Sequence, residues 1–229
     1  MALPYYVSPE QMMADKAEYA KKGIAKGRSI VAMEYADGVL LVADNPSASL
    51  HKISEMYDRI AFAGAGKYNE FEMLRKAGIR HADLKGYTYS REDVAAKSLA
   101  NAYSQTIGSI FSAEPKPLEV ELLVVEVGQD GKPNEIYRIS YDGSIIDEKG
   151  VAAVGGKAEA LLTFLKARWT APTLSLRDAL KLSLEALETI TGQKLAAEGL
   201  ELGVLDRTRP GRVFRRIAPG EARALLNSP

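Results

Sequence analysis

The sequence predicts an α+β domain of four layers: two antiparallel sheets stacked face to face, with helices on both outer faces. Three observations carry that expectation. Strand-like runs come in groups, and the turns Asp37-Gly38, Asp130-Gly131 and Asp142-Gly143 mark antiparallel hairpins. Helical segments come in pairs between those groups, so the strict strand–helix alternation of a doubly wound parallel sheet is absent. No Pro/Gly/Ser-rich linker divides the 229 residues, a length that suits one large domain. The expected organisation is therefore a short tail, residues 1–8, and one sandwich domain, residues 9–229, that includes an N-terminal helix over 9–23.

Ser8 is placed as the N-cap of that first helix. Pro9 takes its first position, where the missing N–H costs nothing. Gln11 completes a capping box, and Val7 and Met12 can form a hydrophobic staple. Met13, Ala17, Ala20 and Ile24 fall on one helical face. Ile30 to Tyr35 and Val39 to Ala43 read as the two strands of the first hairpin. Runs over 51–57 and 60–65 lead to Gly64-Ala65-Gly66, where the period changes to helical. Helices are expected over 66–78 and 91–112. Ser90 caps the second, Leu99, Tyr103, Ile107, Ile110 and Phe111 form its stripe, and Glu114-Pro115-Lys116-Pro117 stops it. The pattern then repeats in outline. Val120 to Val127, Ile136 to Tyr141, Ser144 to Asp147 and Val151 to Val154 are strands. Gly155-Gly156 opens a helix reaching Trp169, with Leu161, Phe164 and Leu165 inward. Ser175 caps another with a Leu176, Leu180, Leu184 and Leu187 stripe, and strands over 200–205 and 212–217 finish the fold.

Composition excludes several function classes. Thirty Lys+Arg balance thirty Asp+Glu, so no overall field attracts nucleic acid or an anionic membrane. Without cysteine there is no disulfide, thiolate metal site or cysteine nucleophile. No run approaches the roughly 18 apolar residues of a membrane span, and Met1 to Tyr6 lacks the basic start of a signal peptide. His51 and His81 are the only histidines, read as surface or edge residues, so neither a metal nor a cofactor is expected. Gly66-Lys67 and Gly156-Lys157 fail as phosphate loops. Ala61 and Val151 stand where the first glycine belongs, and Tyr68 and Ala158 where a hydroxyl would hold magnesium. Gly64-x-Gly66 has Asn69 in place of the third glycine of a dinucleotide fingerprint. These glycines are read as letting helices start close against a sheet. Glu119, Glu121 and Glu126 alternate with apolar residues, as on a solvated or interface-facing strand edge, and receive no acid/base role.

From Val7 onward the chain carries an ordered series of motifs. Val7-Ser8-Pro9, Glu18-Tyr19-Ala20 and Lys26-Gly27 precede the first strand. Asp37-Gly38-Val39-Leu40-Leu41, Lys52-Ile53, Lys116-Pro117 with Val120-x-Leu122-Leu123, Asp142-Gly143-Ser144 and Val154-Gly155-Gly156 follow. The series resembles proteasome α-type subunits over nearly the whole chain, most closely the actinobacterial members. Each motif is weak alone; their order and spacing are specific. Two departures stand out. The Tyr-Asp-Arg triplet usual before Ser-Pro outside bacteria is missing, and Glu119 stands where the family's Arg-Pro-x-Gly has its glycine.

The resemblance implies an αββα sandwich of the N-terminal-nucleophile hydrolase type and a non-catalytic role. It implies homo-heptameric α-rings that cap the proteolytic rings of β-subunits, gate substrate passage and dock a ring-shaped ATPase activator for intracellular protein degradation. The substrates implied are unfolded proteins, in actinobacteria marked with a ubiquitin-like modifier, and the compartment is the cytoplasm. The chain would be a subunit of a threonine-type endopeptidase complex without catalytic residues of its own. Aligning Asp37-Gly38 with the β-type hairpin puts Arg28 at the nucleophile position, where it offers neither hydroxyl nor free amine. Lys52 resembles the α-type lysine that pairs with an activator's C-terminal carboxylate, and Gly27 and Gly66 match pocket positions that leave room for a peptide backbone. Lys67 replaces the usual leucine after Gly66. Leu3, Pro4, Tyr5, Tyr6, Ser8 and Pro9 are the implied gate, and the first helix is expected to pack on a neighbouring subunit. The alternative is a self-processing N-terminal-nucleophile amidohydrolase beginning at Ser29, which would discard the helix that starts at Pro9.

Overall fold

The computed structural model describes residues 7–170 and 173–227; the expected gate positions Leu3, Pro4, Tyr5 and Tyr6 lie outside the described residues. The chain runs through α1 (Pro9–Ala25), β1 (Ile30–Tyr35), β2 (Gly38–Asp44), β3 (Ile53–Tyr57), β4 (Ile60–Gly66), α2 (Tyr68–Thr88) and α3 (Ala96–Ala113). It continues through β5 (Val120–Glu126), β6 (Glu135–Ile139), β7 (Ile145–Glu148), β8 (Val151–Val154), α4 (Ala158–Arg168) and α5 (Leu176–Thr191). It ends with β9 (Leu200–Asp206), β10 (Phe214–Ile217) and α6 (Pro219–Asn227). Two five-stranded sheets result, ordered β10-β9-β2-β1-β8 and β3-β4-β5-β6-β7. Every neighbouring pair is antiparallel.

The period-2 alternation of a strand sorts its side chains between two different apolar layers. On β1, Ile30 and Ala32 face the other sheet, while Val31, Met33 and Tyr35 face α4 and α5. On β5, Leu123 and Val125 face inward, while Val120, Leu122 and Val124 lie under α2 and α3. Both faces of each sheet are covered, which is why β2 reads Gly-Val-Leu-Leu-Val-Ala-Asp with every position buried and no polar alternation. The facing layer is rich in small residues (Ala32, Ala43, Ala61, Ala63, Ala65), so the sheets pack closely at this level. The four-layer αββα sandwich with an N-terminal helix is the expected architecture.

Local differences have physical causes. Ser8 Oγ accepts from the Gln11 N–H at 3.2 Å, as a cap should, but the Gln11 amide donates to Asp15 Oδ1 at 2.7 Å. A partner one turn ahead thus takes the half of the capping box that would have reached back. Ser90 caps only a short 3-10 turn, Arg91–Asp93. Helix α3 begins later, and its Ala96 N–H donates to Glu126 Oε2 at 2.7 Å. Helix α2 continues ten residues beyond the expected end at Gly78, which faces the Tyr103 hydroxyl and the Met56 methyl; a Cβ there would lie 1.8 Å from that oxygen. The glycine makes room for packing rather than ending the helix. Strand β5 is the middle strand of its sheet, so the reading of its acids as an edge is corrected. Helix α6 was not anticipated.

Helix α1 lies against β4 and β5. Ala20 and Ile24 are buried beneath it. Lys16 Nζ donates to the Phe111 carbonyl at 3.0 Å, near the C-terminus of α3, where carbonyls lack helical partners and the dipole favours a cation. The outward side keeps Met12, Met13 and Tyr19 exposed. A groove of about 870 Å³, lined by Val7, Met12, Tyr19, Pro115 and Pro117 among others, runs beside it.

Candidate functional site

The residues expected to act together meet at one end of the sandwich. Gly27 follows α1, and its N–H donates to the Ile24 carbonyl at 2.8 Å. A Cβ on Gly27 would lie 2.9 Å from the Gly66 nitrogen, so the two glycines bring separate backbones into contact. Gly66 sits at φ +104°, in the left-handed half of conformational space that favours glycine, and a Cβ there would lie 2.0 Å from the Glu119 carbonyl oxygen. Gly156 closes the same corner by donating its N–H to the Gly27 carbonyl at 3.1 Å.

Lys52 reaches this corner from the segment before β3. Its Nζ donates to the Arg28 carbonyl at 2.9 Å and lies 3.5 Å from the Asp44 carbonyl. The backbone around it is held by Glu201 on β9. The Glu201 carboxylate accepts the Lys52 N–H at 2.8 Å and the Ile53 N–H at 3.2 Å. Arg216, Asn45 and His51 hold that carboxylate in turn, with Arg216 Nη1 at 2.6 Å, Asn45 Nδ2 at 2.8 Å and His51 Nδ1 at 3.3 Å. Burial pushes the Lys52 ammonium down to about 8; the Asp44 carboxylate opposes the fall and the Arg28 guanidinium adds to it. The amine is therefore still charged at neutral pH, yet close to titration.

Arg28, at the expected nucleophile position, is internal to the chain, and its Nη1 donates to Asp44 Oδ1 at 2.6 Å. Ser29 is buried, with its carbonyl accepting from the Asp44 N–H at 3.3 Å. The constellation offers a guanidinium and a half-buried lysine amine, but no hydroxyl beside a free amine. It suits recognition of an anion better than acyl transfer.

Lys67 and Glu119 join a compact charge cluster next to Gly66. Lys116 Nζ lies 2.8 Å from Glu70 Oε1 and 3.1 Å from Glu119 Oε2; Lys67 Nζ lies 3.6 Å and 4.0 Å from the same two oxygens. The second Glu70 oxygen accepts the Glu119 N–H at 2.7 Å. The Glu119 side chain rests on Gly23 of α1, where a Cβ would lie 2.2 Å from its Oε1. Glu121 instead points between the sheets and accepts the Gly155 N–H at 3.1 Å, with burial raising its carboxyl above the usual range. Glu126 holds Arg59 and the start of α3.

Gly27, Gly66 and Lys52 are thus brought together, and Ser8 and Pro9 sit at the start of α1 as read. Asp44, Glu70 and Glu201 escaped sequence reasoning. Asp44 has a faint signal, a lone acid ending an apolar strand. Glu201 has none, since the peptide groups it holds are about 150 positions away in the chain. Among the described residues no group of three metal-ligating side chains is placed to hold an ion.

Comparison with known proteins yields a family match over residues 24–205, to a family described as proteasome subunit. A proteasome subunit alpha from Streptomyces coelicolor is 55% identical over 233 aligned residues, covering 100% of this chain and 91% of that protein. Those from Thermomonospora curvata and Kineococcus radiotolerans are each 54% identical, covering 99% and 95% of this chain and 98% and 95% of their own.

Proposed function

The chain belongs to the proteasome subunit family, and from that premise we propose that it is an α-type subunit of the proteasome core particle. In this reading it forms heptameric outer rings on rings of β-subunits, contributes no catalytic residue, and belongs to a threonine-type endopeptidase complex in the cytoplasm. No helix among the described residues is long and apolar enough to cross a membrane. Residues 1–8 act as the gate for unfolded, modifier-tagged substrates, and residues 9–229 are the ring-forming domain. The outward side of α1, with Met12, Met13, Tyr19 and the adjoining groove, supports contact with a neighbouring subunit.

The observation that carries the non-catalytic role is Arg28. A threonine-type mechanism needs a hydroxyl and its own free α-amine where the first strand begins. Here the backbone continues through Arg28 into α1, Asp44 occupies the guanidinium, and the Lys52 amine caps the Arg28 carbonyl. The lysine is thus left to bind rather than to activate a nucleophile. Gly27 and Gly66 bring the adjacent backbones together beside it, and the three residues form the proposed pocket for the C-terminal carboxylate of an ATPase activator.

Electron microscopy of the chain co-expressed with its β partner tests the assembly, with seven-membered outer rings expected. A chain that stays monomeric with its β partner refutes it, as does one shortened to Ser29 with amidase activity of its own. Lys52→Ala should abolish activator-dependent degradation of folded substrates while rings still form; unchanged degradation refutes the pocket.

A further inference from the structure

Resting on the docking pocket proposed above, we propose that Lys67 is a second cation for the incoming carboxylate, and that Glu119 competes with that carboxylate for it. Two lysines flank Gly66 and Gly27, and they are held in opposite ways. The Lys52 amine is committed to the Arg28 carbonyl at 2.9 Å and turned into its own chain. The Lys67 side chain is half exposed, and its nearest carboxylate oxygens lie at 3.6 and 4.0 Å, beyond the usual 2.7–3.2 Å of a hydrogen bond. It is drawn to Glu70 and Glu119 without being bonded to either.

The two carboxylates do not depend on it. Lys116 lies 2.8 Å from Glu70 and 3.1 Å from Glu119, and Glu70 also holds the Glu119 N–H. When Lys67 swings to a ligand, neither acid is left as an isolated buried charge, so the penalty that normally fixes a buried ion pair is absent. Lys67 directly follows Gly66, whose missing Cβ admits the Glu119 carbonyl and so sets the Lys67 ammonium beside that residue. An arriving main-chain carboxylate at Gly66 therefore meets a flexible ammonium that can change partners.

The competition gives signed outcomes. Particles assembled with the β partner, its threonine nucleophiles covalently blocked so that no new carboxylates are made, are exposed to two pools of short random-sequence peptides, one with free C-terminal carboxylates and one amidated. Retained peptide is quantified by mass spectrometry, and the ratio of carboxylate to amide retention is the readout. Wild type should favour the carboxylate pool, and Lys52→Ala should remove the preference. Lys67→Leu should lower the ratio about three- to five-fold, the size of a partly exposed ion pair. Lys67→Arg should keep most of it, and Lys67→Gln should match the leucine variant. Glu119→Gln should raise the ratio, because one of the two internal competitors is gone while Glu70 stays held by Lys116, and this rise should vanish when Lys67→Leu is added. A ratio that depends on Lys52 but not on Lys67 overturns this inference and leaves the docking pocket standing. The absence of any carboxylate preference in wild type overturns the pocket itself, and the inference with it.

Discussion

Replacing Lys52 by methionine should alter the pH dependence of stability more than stability at neutral pH. Burial lowers the Lys52 ammonium to about 8 from an ordinary 10.5. Between those values the unfolded chain still holds the lysine proton and the folded chain has released it. Stability therefore rises with pH through this window, while below about 8 both states are charged and the full cost of burying the charge is present. The interval corresponds to roughly 3 kcal/mol, reduced to the extent that the amine keeps some contact with water. Methionine preserves the length and does not titrate. It gives up the contacts to the Arg28 and Asp44 carbonyls, but also the cost of burying the charge, so near pH 7 these effects oppose one another. In urea unfolding at one protein concentration, the wild-type-minus-variant difference isolates Lys52, because other titrating groups cancel. That difference should shift by about 2–3 kcal/mol in favour of wild type between pH 7 and 10. A difference that stays flat with pH would refute the burial argument. The same titration bears on binding. Pairing with a carboxylate requires the ammonium, so affinity should fall about ten-fold from pH 7 to 9, a range over which an ordinary lysine stays charged.

Two further outcomes are expected. Gly66→Ala forces a Cβ within 2.0 Å of the Glu119 carbonyl at φ +104°, which should cost at least about 1–3 kcal/mol of strain and disturb the bond from the Lys67 N–H to that oxygen. Calorimetry should show a clear drop in Tm together with loss of activator binding, and an unchanged Tm would mean the backbone there is freer than it looks. Deleting residues 2–7 should speed hydrolysis of small fluorogenic peptides by the assembled particle; turnover that does not change would remove the barrier role of the tail.

What the sequence made legible was whatever depends on neighbours along the chain. The Ser8-Pro9 cap, the Ser175 cap and the Asp130-Gly131 turn are local chemistry. Ser175 Oγ accepts the Asp178 N–H at 3.1 Å, and Asp130 and Gly131 take the positive φ pair, 53° and 79°, that such a turn needs. The start of α3 was misplaced because its capping carboxylate, Glu126, comes from a strand 30 positions later. The end of α2 was misplaced because Gly78 is selected by Tyr103 and Met56, not by helix termination. Helix α6 did carry a signal, Pro219 at its first position and Glu221 in its first turn, which the preceding strand pattern masked. In the site, Lys52 and the glycines were legible as motif positions. What holds Lys52 was not, since Glu201 reaches it only through folding.

Glu119 is seated by contacts from three separate elements. Its side chain lies against α1, where any side chain on the facing helix residue would collide with it. The collision is absent because α1 presents Gly23, whose missing Cβ leaves space for the Glu119 carboxylate at what would be a 2.2 Å contact. Gly23 lies in the last turn of α1, and its missing Cβ is what gives the Glu119 carboxylate its place. Once seated, the carboxylate would be poorly solvated without cations, and Lys116 supplies the closer pairing at 3.1 Å. That leaves Lys67 more loosely held, 3.6 Å from Glu70 and 4.0 Å from Glu119. The glycine in α1, the acid at 119 and the lysine at 67 are thus linked by contact, so a change at one should be felt at the others.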